Sequence, residues 1–224
     1  MGCKCSVLQK EEEEGPRQET ETGGFRPSQR PSSSNVVTPG KIAIVKKCHH
    51  VYDGDTLTLD GGQRVRFLGI DTPEIKQHQP FAIEARDFVT ELCAGKELYL
   101  EHDGQAKDHY GRLLAYVFVK QADGTFLCVN EAVVRAGFAG YYHPGQKSLR
   151  HEAALRAALK DARDARRGQW AAFVSRGTVY ATRNGKAYHK HGCRHLHNSK
   201  HLKEFEEGAA IEAGLSACRT CLAD

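Results

Sequence analysis

Short runs rich in β-forming residues begin at Lys41 and recur through the middle of the chain, separated by turns that contain Gly and Asp. The runs read KIAIVK, TLTL, RVRFLGI, ELYLEH, RLLAYVFV and TFLCVN. Apolar strings of this length, bounded by turn-forming residues, predict β-strands. We therefore expect a compact meander of about five strands.

Two longer stretches have the period of an amphipathic helix. The first, residues 80–94, begins with a proline and stops before Gly95. The second covers residues 147–167, and its apolar positions follow helical spacing: Leu155, Ala158, Leu159 and Ala162. A shorter helix is predicted in NEAVVRAG, between the other two. Strands with helices at their ends predict an α+β fold, compatible with an OB-type five-stranded β-barrel carrying three helices.

The composition changes twice along the chain, which predicts three parts. Residues 1–39 are polar and rich in Pro, Ser and Gly, so they bury too little surface to offset the entropy of ordering and are expected to be a disordered tether. Residues 40–175 contain the predicted strands and helices. Residues 176–224 are dense in His, Cys and Gly but poor in aliphatic side chains, as in a small metal-stabilised module.

Charge and cysteine content exclude few partners and functions. The 224 residues carry a net charge of +4, and no part is strongly basic, so charge alone neither supports nor excludes nucleic acid as a partner. No apolar run is long enough to cross a membrane and no secretory signal is evident, which favours a reducing compartment. There the eight cysteines are interpreted as lipid sites, metal ligands or small core residues.

Carboxylates gather where two of the predicted strands meet. If TLTL pairs with RVRFLGI, then Asp55 in the DGDT turn lies near Asp71 in the DTPE turn. Two carboxylates about 4 Å apart repel by roughly 4 kcal/mol at an effective dielectric constant of 20, so a cation is expected between them. Hard oxygen ligands, including the carbonyl of Thr72, suit Ca²⁺ or Mg²⁺. The alternative is that DGDT is an Asx turn and DTPE caps a helix, but Arg66 between them favours a site.

A second arginine precedes the strand LLAYVFV, in the segment DHYGR. Arg112 is a surface charge on the simpler interpretation. On the alternative interpretation, Arg112 meets Arg66 across the same cavity. Two guanidiniums beside a metal would then form a clamp for a phosphate group.

These motifs, in order, resemble the staphylococcal nuclease (thermonuclease) family. The resemblance rests on DGDT, VRFLGIDTPE, DHYGRLLAYVFV, VNEAVVRAGFA and a basic helix ending in GQW, and it covers about residues 40–175. It implies an OB-type barrel with three helices. It also implies Ca²⁺ ligands at Asp55, Asp71 and Thr72, phosphate-binding arginines at Arg66 and Arg112, and a carboxylate at Glu74 that activates water.

The resemblance further implies substrate contacts from Tyr110 and, more approximately, from Tyr142. His109 stands where the family often has a lysine. The implied activity is Ca²⁺-dependent endonucleolytic hydrolysis of DNA and RNA to 3′-phosphate products with little sequence preference, which fits contacts to phosphate instead of to bases. The alternatives are a barrel that binds nucleic acid or protein without cutting, and an acylated adaptor in which the barrel is only a scaffold.

The tail has the composition of a structural zinc site. A CxxC pair follows an HxxxC pair, which predicts a tetrahedral Zn²⁺ site of His189, Cys193, Cys218 and Cys221. Five nearby histidines are candidates, and we choose His189. The alternative is a flexible His-rich tail. Metal binding is favoured because so few apolar residues would not fold unaided.

The N-terminal MGCKCS fits a dual-acylation pattern, with myristate on Gly2 and palmitate on Cys3 and Cys5. One myristoyl chain binds membranes only marginally, so a second chain would be needed for stable anchoring. The protein is then expected on the cytoplasmic side of a membrane; if the start is unmodified, it is expected in the cytoplasm. No obligate protein partner is evident from the sequence.

Overall fold

The computed structural model describes residues 37–142 and 148–222. Its first part is mainly β-structure, with these strands: β1 Ile42–Val51, β2 Thr56–Leu59, β3 Arg64–Phe67, β4 Ile70–Asp71, β5 Glu97–Glu101, β6 Leu113–Lys120, β7 Phe126–Cys128 and β8 Gly140–Tyr141. Three α-helices accompany them: α1 Ala82–Cys93, α2 Val129–Arg135 and α3 Glu152–Asp164. The tail contributes β9 Thr178–Thr182, β10 Ala187–Tyr188, β11 Leu202–Glu206, α4 Glu207–Glu212 and β12 Ser216–Ala217. Short 3-10 helices lie at Ile75–Gln77, Gly168–Trp170 and Arg194–Leu196.

The main sheet curls into a closed ring. Its strand order is β3-β2-β1-β5-β6-β7, and β3 also pairs with β6, so five strands close on themselves while β7 extends beyond the ring. Val65 and Phe67 of β3 are buried inside, whereas Arg64 and Arg66 alternate with them and face outward. This period of two is what a strand with one buried face requires. The prediction of an α+β fold is confirmed.

Asn130 explains where β7 ends and α2 begins. The sequence predicts a strand through TFLCVN, but the structure ends the strand at Cys128 and begins the helix at Val129. The fully buried side chain of Asn130 accepts a hydrogen bond from the Val117 amide at 2.9 Å and donates to the Leu68 carbonyl at 2.8 Å. A buried amide needs such partners, so Asn130 joins the helix to the ring.

The other two helices are shorter than predicted. The first begins at Ala82 instead of 80, because Phe81 has a left-handed backbone (φ 66°) that precludes helix at that residue. The second begins at Glu152; residues 143–147 lie outside the described part of the chain, so the predicted start at 147 falls there. The four predicted apolar positions of this helix, Leu155, Ala158, Leu159 and Ala162, are all buried.

The tail folds beside α3. Strands β9 and β11 pair antiparallel, β10 and β12 pair parallel, and α4, which the sequence did not predict, follows β11 directly. Arg163 of α3 donates from Nη1 to the Gly208 carbonyl at 2.6 Å and to Glu212 Oε1 at 2.8 Å. These contacts dock α4 on the helix that covers the ring. Whether residues 176–224 form an independent domain stays a prediction.

In the described ranges, none of the helices combines the length and the apolar character needed to cross a bilayer.

Candidate active site and metal centre

The loop between β1 and β2 places Asp55 at one edge of the ring. Its backbone amide donates to Asp53 Oδ1 at 3.1 Å, so the Asx turn considered as an alternative is present. Position 54 has no room for a side chain: an added Cβ would lie 2.7 Å from the Ala85 Cβ and 2.8 Å from the Thr72 methyl. Gly54 therefore lets the loop pack directly on α1 and on the segment that follows β4.

Asp55 is a buried acceptor, with 5% of its surface exposed. Its Oδ2 accepts hydrogen bonds from the amide and the hydroxyl of Thr72, both at 3.0 Å. Its Oδ1 accepts from the hydroxyl of Thr56 at 3.0 Å. These bonds fix the carboxylate in one orientation and hold the β4 end against the β1–β2 loop. The turn interpretation is confirmed for DGDT, and the site interpretation stays a prediction.

Arg66 lies between the two predicted carboxylates. Its Nε is 3.2 Å from Asp55 Oδ1, and its Nη2 donates to Asp71 Oδ1 at 2.7 Å. Its Nη1 donates to the carbonyls of Phe67 (2.9 Å) and Ile70 (2.7 Å). The Arg66 side chain is only 14% exposed, so its position is set by the protein before any ligand arrives.

One guanidinium does not neutralise this cluster. Burial, then the neighbouring Asp55 and Glu74 carboxylates, raise the pKa of Asp53 to about 6. Burial and the same two carboxylates also raise the pKa of Asp71, against the opposing effect of Arg66. Four acids thus share one cation. Asp53 was not among the predicted site residues; its signal was the DGDT motif, in which it was given only a turn-forming role.

Glu74 stands at the open side of the cluster. It precedes the 3-10 helix Ile75–Gln77, is solvent-exposed, and its amide donates to Gln79 Oε1 at 2.7 Å. Its charge contributes to the raised pKa values of Asp53 and Asp71. An exposed carboxylate beside a partly buried acidic cluster can reach both solvent water and a bound ligand.

Arg112 has its own carboxylate partner. Its Nε donates to Asp108 Oδ2 at 2.8 Å, and the amides of Tyr110 and Arg112 donate to Asp108 Oδ1 at 3.0 and 2.9 Å. Its guanidinium carbon lies 5.4 Å from the centre of the Tyr110 ring, which is 74% exposed. Both side chains line a surface depression of about 500 Å³ that also includes Arg64. Arg64, not Arg66, is the β3 arginine that lines this depression. That Arg66 and Arg112 meet across one cavity stays a prediction.

Tyr142 borders a second cleft, on the Asp71 side. Strand β4 pairs with β8, with Asp71 opposite Gly140, and the Tyr142 amide donates to the Gly69 carbonyl at 3.0 Å. The Tyr142 ring is 43% exposed. The cleft, about 270 Å³, is also lined by Ile211 and Leu215 of the tail. This contribution of the tail was not predicted, since nothing in its composition indicates where it docks.

Comparison with known proteins identifies the relatives of this chain. A family model described as staphylococcal nuclease homologue matches residues 64–172. The thermonuclease of Staphylococcus hyicus is 33% identical over 158 residues, covering 67% of this chain and 85% of that protein. The chain belongs to the staphylococcal nuclease family.

Two further relatives carry similar names. The thermonuclease of Staphylococcus intermedius is 36% identical over 121 residues, covering 51% of this chain and 68% of that protein. Endonuclease YncB of Bacillus subtilis (strain 168) is 36% identical over 105 residues, covering 43% of this chain and 49% of that protein. The expected family membership is confirmed, and Arg66, Asp71 and Glu74 fall within the family match, whereas Asp53 and Asp55 precede it.

The Cys/His cluster lies C-terminal to the family match. The ligand atoms of His189, Cys193, Cys218 and Cys221 all lie within 4.8 Å of one another. The parallel pairing of Tyr188 with Ala217 sets His189 beside Cys218. The structure thus brings together the four residues that the sequence predicts.

The surroundings of the cluster distinguish His189 from its neighbours. Its Nδ1 is buried and has no hydrogen-bond partner among the described residues, as expected of an atom meant for a metal. His195 instead contacts the Thr220 hydroxyl at 3.0 Å, and His191 packs edge-on against Tyr180. Burial lowers the pKa of His189, which favours the neutral imidazole that binds metals.

One thiol of the cluster is activated. Burial opposes ionisation of Cys218, but hydrogen bonds from the Thr220 and Cys221 backbone lower its pKa to about 7. A thiolate is the form that binds metal. The predicted acylation sites Gly2, Cys3 and Cys5 lie outside the described residues, and their acylation stays a prediction.

Proposed function

We propose that this protein is a calcium-dependent nuclease that hydrolyses DNA and RNA phosphodiesters with little sequence preference, leaving 3′-phosphates. The observation that carries the proposal is the gathering of Asp53, Asp55, Asp71 and Glu74 around Arg66 at one edge of the ring. The names of the relatives, thermonuclease and endonuclease, support it.

The donor set fits a hard divalent cation. The carboxylates of Asp55 and Asp71 and the carbonyl of Thr72 are oxygen ligands of the kind that Ca²⁺ prefers. The raised pKa of Asp71 indicates negative charge in excess of what Arg66 neutralises. When bound, Ca²⁺ supplies positive charge against the phosphoryl oxygens as they become more negative.

Arg66 is prepared to bind phosphate. Of the five N–H groups of a guanidinium, those of Arg66 contact Asp55, Asp71 and the carbonyls of Phe67 and Ile70. One N–H on Nη2 is left to donate to a non-bridging phosphate oxygen. Because the side chain is already ordered, this donation needs no further loss of side-chain entropy, and it strengthens as the oxygen gains charge.

Glu74 is placed to handle the attacking water. Its exposed carboxylate accepts a proton from, or orients, the water that attacks phosphorus, as a general base does. Arg112, held by Asp108, donates to the phosphate from the next strand, and the exposed Tyr110 hydroxyl lies beside it. Contacts to phosphate oxygens are independent of base identity, which accounts for the expected tolerance of sequence.

Cleavage assays test this proposal. Single-stranded DNA and plasmid are incubated with the full chain in Ca²⁺, Mg²⁺ or EDTA, and product ends are checked for 3′-phosphate with a phosphatase. Glu74→Gln is expected to lower the Ca²⁺-dependent rate by about 10²–10⁴-fold. Glu84→Gln, an exposed acid on α1, is the matched control and should keep full activity.

Absence of cutting in every metal, or equal rates for Glu74→Gln and Glu84→Gln, would contradict catalysis at this site. Binding of DNA without cutting would then favour the alternative of a nucleic-acid-binding module.

For the tail we propose a structural zinc site formed by His189, Cys193, Cys218 and Cys221. The unpartnered Nδ1 of His189 and the clustered thiols support it, because three sulfurs and one imidazole are ligands typical of tetrahedral zinc. Purified protein is expected to contain one zinc per chain by elemental analysis. His189→Gln should lose the metal, whereas His191→Gln should keep it. The reverse result would show that His189 is not the ligand.

We also propose that acylation of Gly2, Cys3 and Cys5 attaches the protein to the cytoplasmic face of a membrane, which the MGCKCS motif supports. Gly2→Ala should release the protein to the soluble fraction without changing its nuclease activity. Equal membrane recovery of both forms would exclude this anchor.

A further inference from the structure

Arg64 lies on the same outer face of the sheet as the two arginines of the proposed site. Within β3, Arg64 and Arg66 are two positions apart and therefore point to the same side, about 6.6 Å apart along the strand. Val65 pairs in parallel with Leu113, so Arg64 and Arg112, which precede them, are neighbours on adjacent strands. Neighbouring positions on paired strands also share a face. The three arginines thus occupy neighbouring positions on one face of the sheet.

The three arginines differ in their partners. Arg66 contacts Asp55 and Asp71, and Arg112 contacts Asp108. In the described part of the chain, Arg64 forms no ion pair with a carboxylate. Of these three arginines, Arg64 is the one whose charge no carboxylate in the described residues balances.

Arg64 is nevertheless held in place. Its guanidinium carbon lies 4.7 Å from the centre of the Tyr52 ring, and its Nη2 donates to the Tyr52 hydroxyl at 3.4 Å. His50 packs edge-on against the Tyr52 ring, with ring centres 4.6 Å apart. A guanidinium stacked on an aromatic ring keeps most of its N–H groups free to donate.

The depression beside Arg64 is open and polar. Gly62, Gln63, Tyr110 and Gly111 line it together with Arg64 and Arg112. Both glycines have positive φ angles and carry no side chain that would fill the space, and an added Cβ at either would meet no atom within 4 Å. Two cationic groups and an exposed tyrosine hydroxyl converge on space that a phosphate group can enter.

We propose that Arg64, oriented by Tyr52, binds the phosphodiester next to the scissile one, so that the protein grips a nucleic-acid strand at two successive phosphates. This rests on the proposed nuclease function, because it places the scissile phosphate at Arg66 and Arg112. Arg64 lies beside Arg112 across the strand pair and two residues from Arg66 on β3. A strand bound at Arg66 and Arg112 can therefore place its next phosphate near Arg64. Arg64 is a positioning residue, and its effect should grow with the length of the substrate.

The first test measures substrate binding separately from catalysis. In the Glu74→Gln background, which slows cutting enough for equilibrium measurements, binding of fluorescently labelled oligothymidylates with one, two and seven phosphodiesters is measured by anisotropy between 50 and 300 mM NaCl. Arg64→Ala should reduce the slope of log affinity against log salt by about 0.7 for the longest strand, the value for one phosphate contact in single strands. It should leave binding of the strand with one phosphodiester unchanged. Arg64→Lys should keep the slope, since it keeps the charge.

Kinetics with the active protein complete the test. Arg64→Ala should raise KM for the longest strand about tenfold at 150 mM NaCl with kcat unchanged, and should not affect hydrolysis of a nitrophenyl ester of thymidine phosphate, which carries one phosphodiester. Arg86→Ala, which removes an exposed arginine paired with Asp87 on α1, is the charge-matched control and should change neither quantity.

An unchanged salt slope for Arg64→Ala, or an equal loss on the substrate with one phosphodiester, would overturn the subsite. An effect of equal size in Arg86→Ala would show that the loss of affinity comes from net charge alone, which would also overturn the proposed Arg64 subsite. Failure of the nuclease proposal looks different: the active protein cuts nothing, while the binding measurements still report on Arg64.

Discussion

The edge of the ring and the tail each gather residues suited to a metal, but they do so in opposite ways. At the ring, charged oxygens lie partly open to solvent, and Glu74 and Asp71 are exposed. In the tail, His189, Cys193 and Cys218 are buried with less than a tenth of their surface exposed. An open set of hard ligands leaves room for a phosphate, whereas a closed set of soft ligands leaves room only for the metal.

The cores behind the two sites explain the difference. The ring has a large apolar core that includes the fully buried Leu57, Val65 and Ile70, so it stays folded while like charges repel at its edge. In the tail, Cys193 and Cys218 belong to a cluster whose one other buried member among the described residues is Leu196. The ligands of the tail are thus part of its core. Losing a ligand at the ring should abolish activity, and losing one in the tail should abolish structure.

Arg66→Ala is expected to have the largest effect on both stability and catalytic rate. It also tests whether the ring stays folded when its carboxylates lose their cation. The change leaves buried Asp55 without its cation and removes donors from the Phe67 and Ile70 carbonyls. Breaking a buried ion pair costs about 3–5 kcal/mol of unfolding free energy. Loss of the phosphate contact should lower kcat by at least about 10²-fold. Urea unfolding and initial-rate assays measure the two effects.

The surface pair Arg86–Asp87 provides the comparison. Arg86→Ala should change the free energy of unfolding by about 1 kcal/mol or less, as exposed pairs do. If Arg66→Ala were as mild as this control, Arg66 would not hold the carboxylates together.

Metal removal from the tail is the next largest effect. A zinc-selective chelator should expose the amides of residues 178–222 to hydrogen exchange, because metal binding provides much of the folding free energy of such small modules. The amides of β1 and β5 should keep their protection, since their core does not include the ligands. Equal protection of the tail with and without chelator would mean that its small apolar clusters keep it folded without metal. The tail would then not depend on its ligands for structure, contrary to the comparison with the ring.

Most of the ring could be predicted because its signals are local. Alternation within β3, helical spacing within α3 and the two Asp-containing turns each depend on a few neighbouring residues. The meeting of Asp55 and Asp71 around Arg66 followed from pairing TLTL with RVRFLGI, and the register of Thr56 opposite Arg66 agrees with it.

The rest depends on contacts that no local pattern encodes. Phe81 takes a left-handed conformation in spite of a proline at the preceding position, which shortens α1. Helix α4 has only six residues, too short for a helical period to be recognised. Its docking depends on Arg163 of a distant segment, and the buried Glu207 depends on the Tyr188 hydroxyl at 3.1 Å. Composition indicates a metal module here but not its place against the ring.

A smaller effect of pH should distinguish the crowded edge from an ordinary acidic surface. The pKa of Asp53 is about 6 in the folded protein and 3.8 for the isolated side chain, so the folded state binds its proton more tightly. The contribution of Asp53 to the stability of the calcium-free protein should therefore fall as pH rises from 4 to 6, by about 3 kcal/mol once the side chain is fully ionised. Asp53→Asn should unfold at higher urea than the wild type at pH 7 and show no such advantage near pH 4.

Calcium provides the internal control for that measurement. Under the proposed function, added Ca²⁺ binds the ionised carboxylates, so it should stabilise the wild type more at pH 7 than at pH 5. An Asp53→Asn protein with no stability advantage over the calcium-free wild type at pH 7 would show that like charges do not strain the cluster.

The smallest effect concerns the seam between the two regions. Arg163→Met keeps the aliphatic stem but removes the hydrogen bonds to the Gly208 carbonyl and to Glu212, at about 1–2 kcal/mol for a largely buried charged donor. Because Ile211 and Leu215 line the same cleft as Asp71 and Tyr142, a looser tail should raise KM a few-fold without loss of zinc. Lys160→Met, an exposed change on the same helix, should do neither. A loss of zinc in Arg163→Met would mean that docking and metal binding form one cooperative unit, and that the tail takes its fold from the ring as much as from its metal.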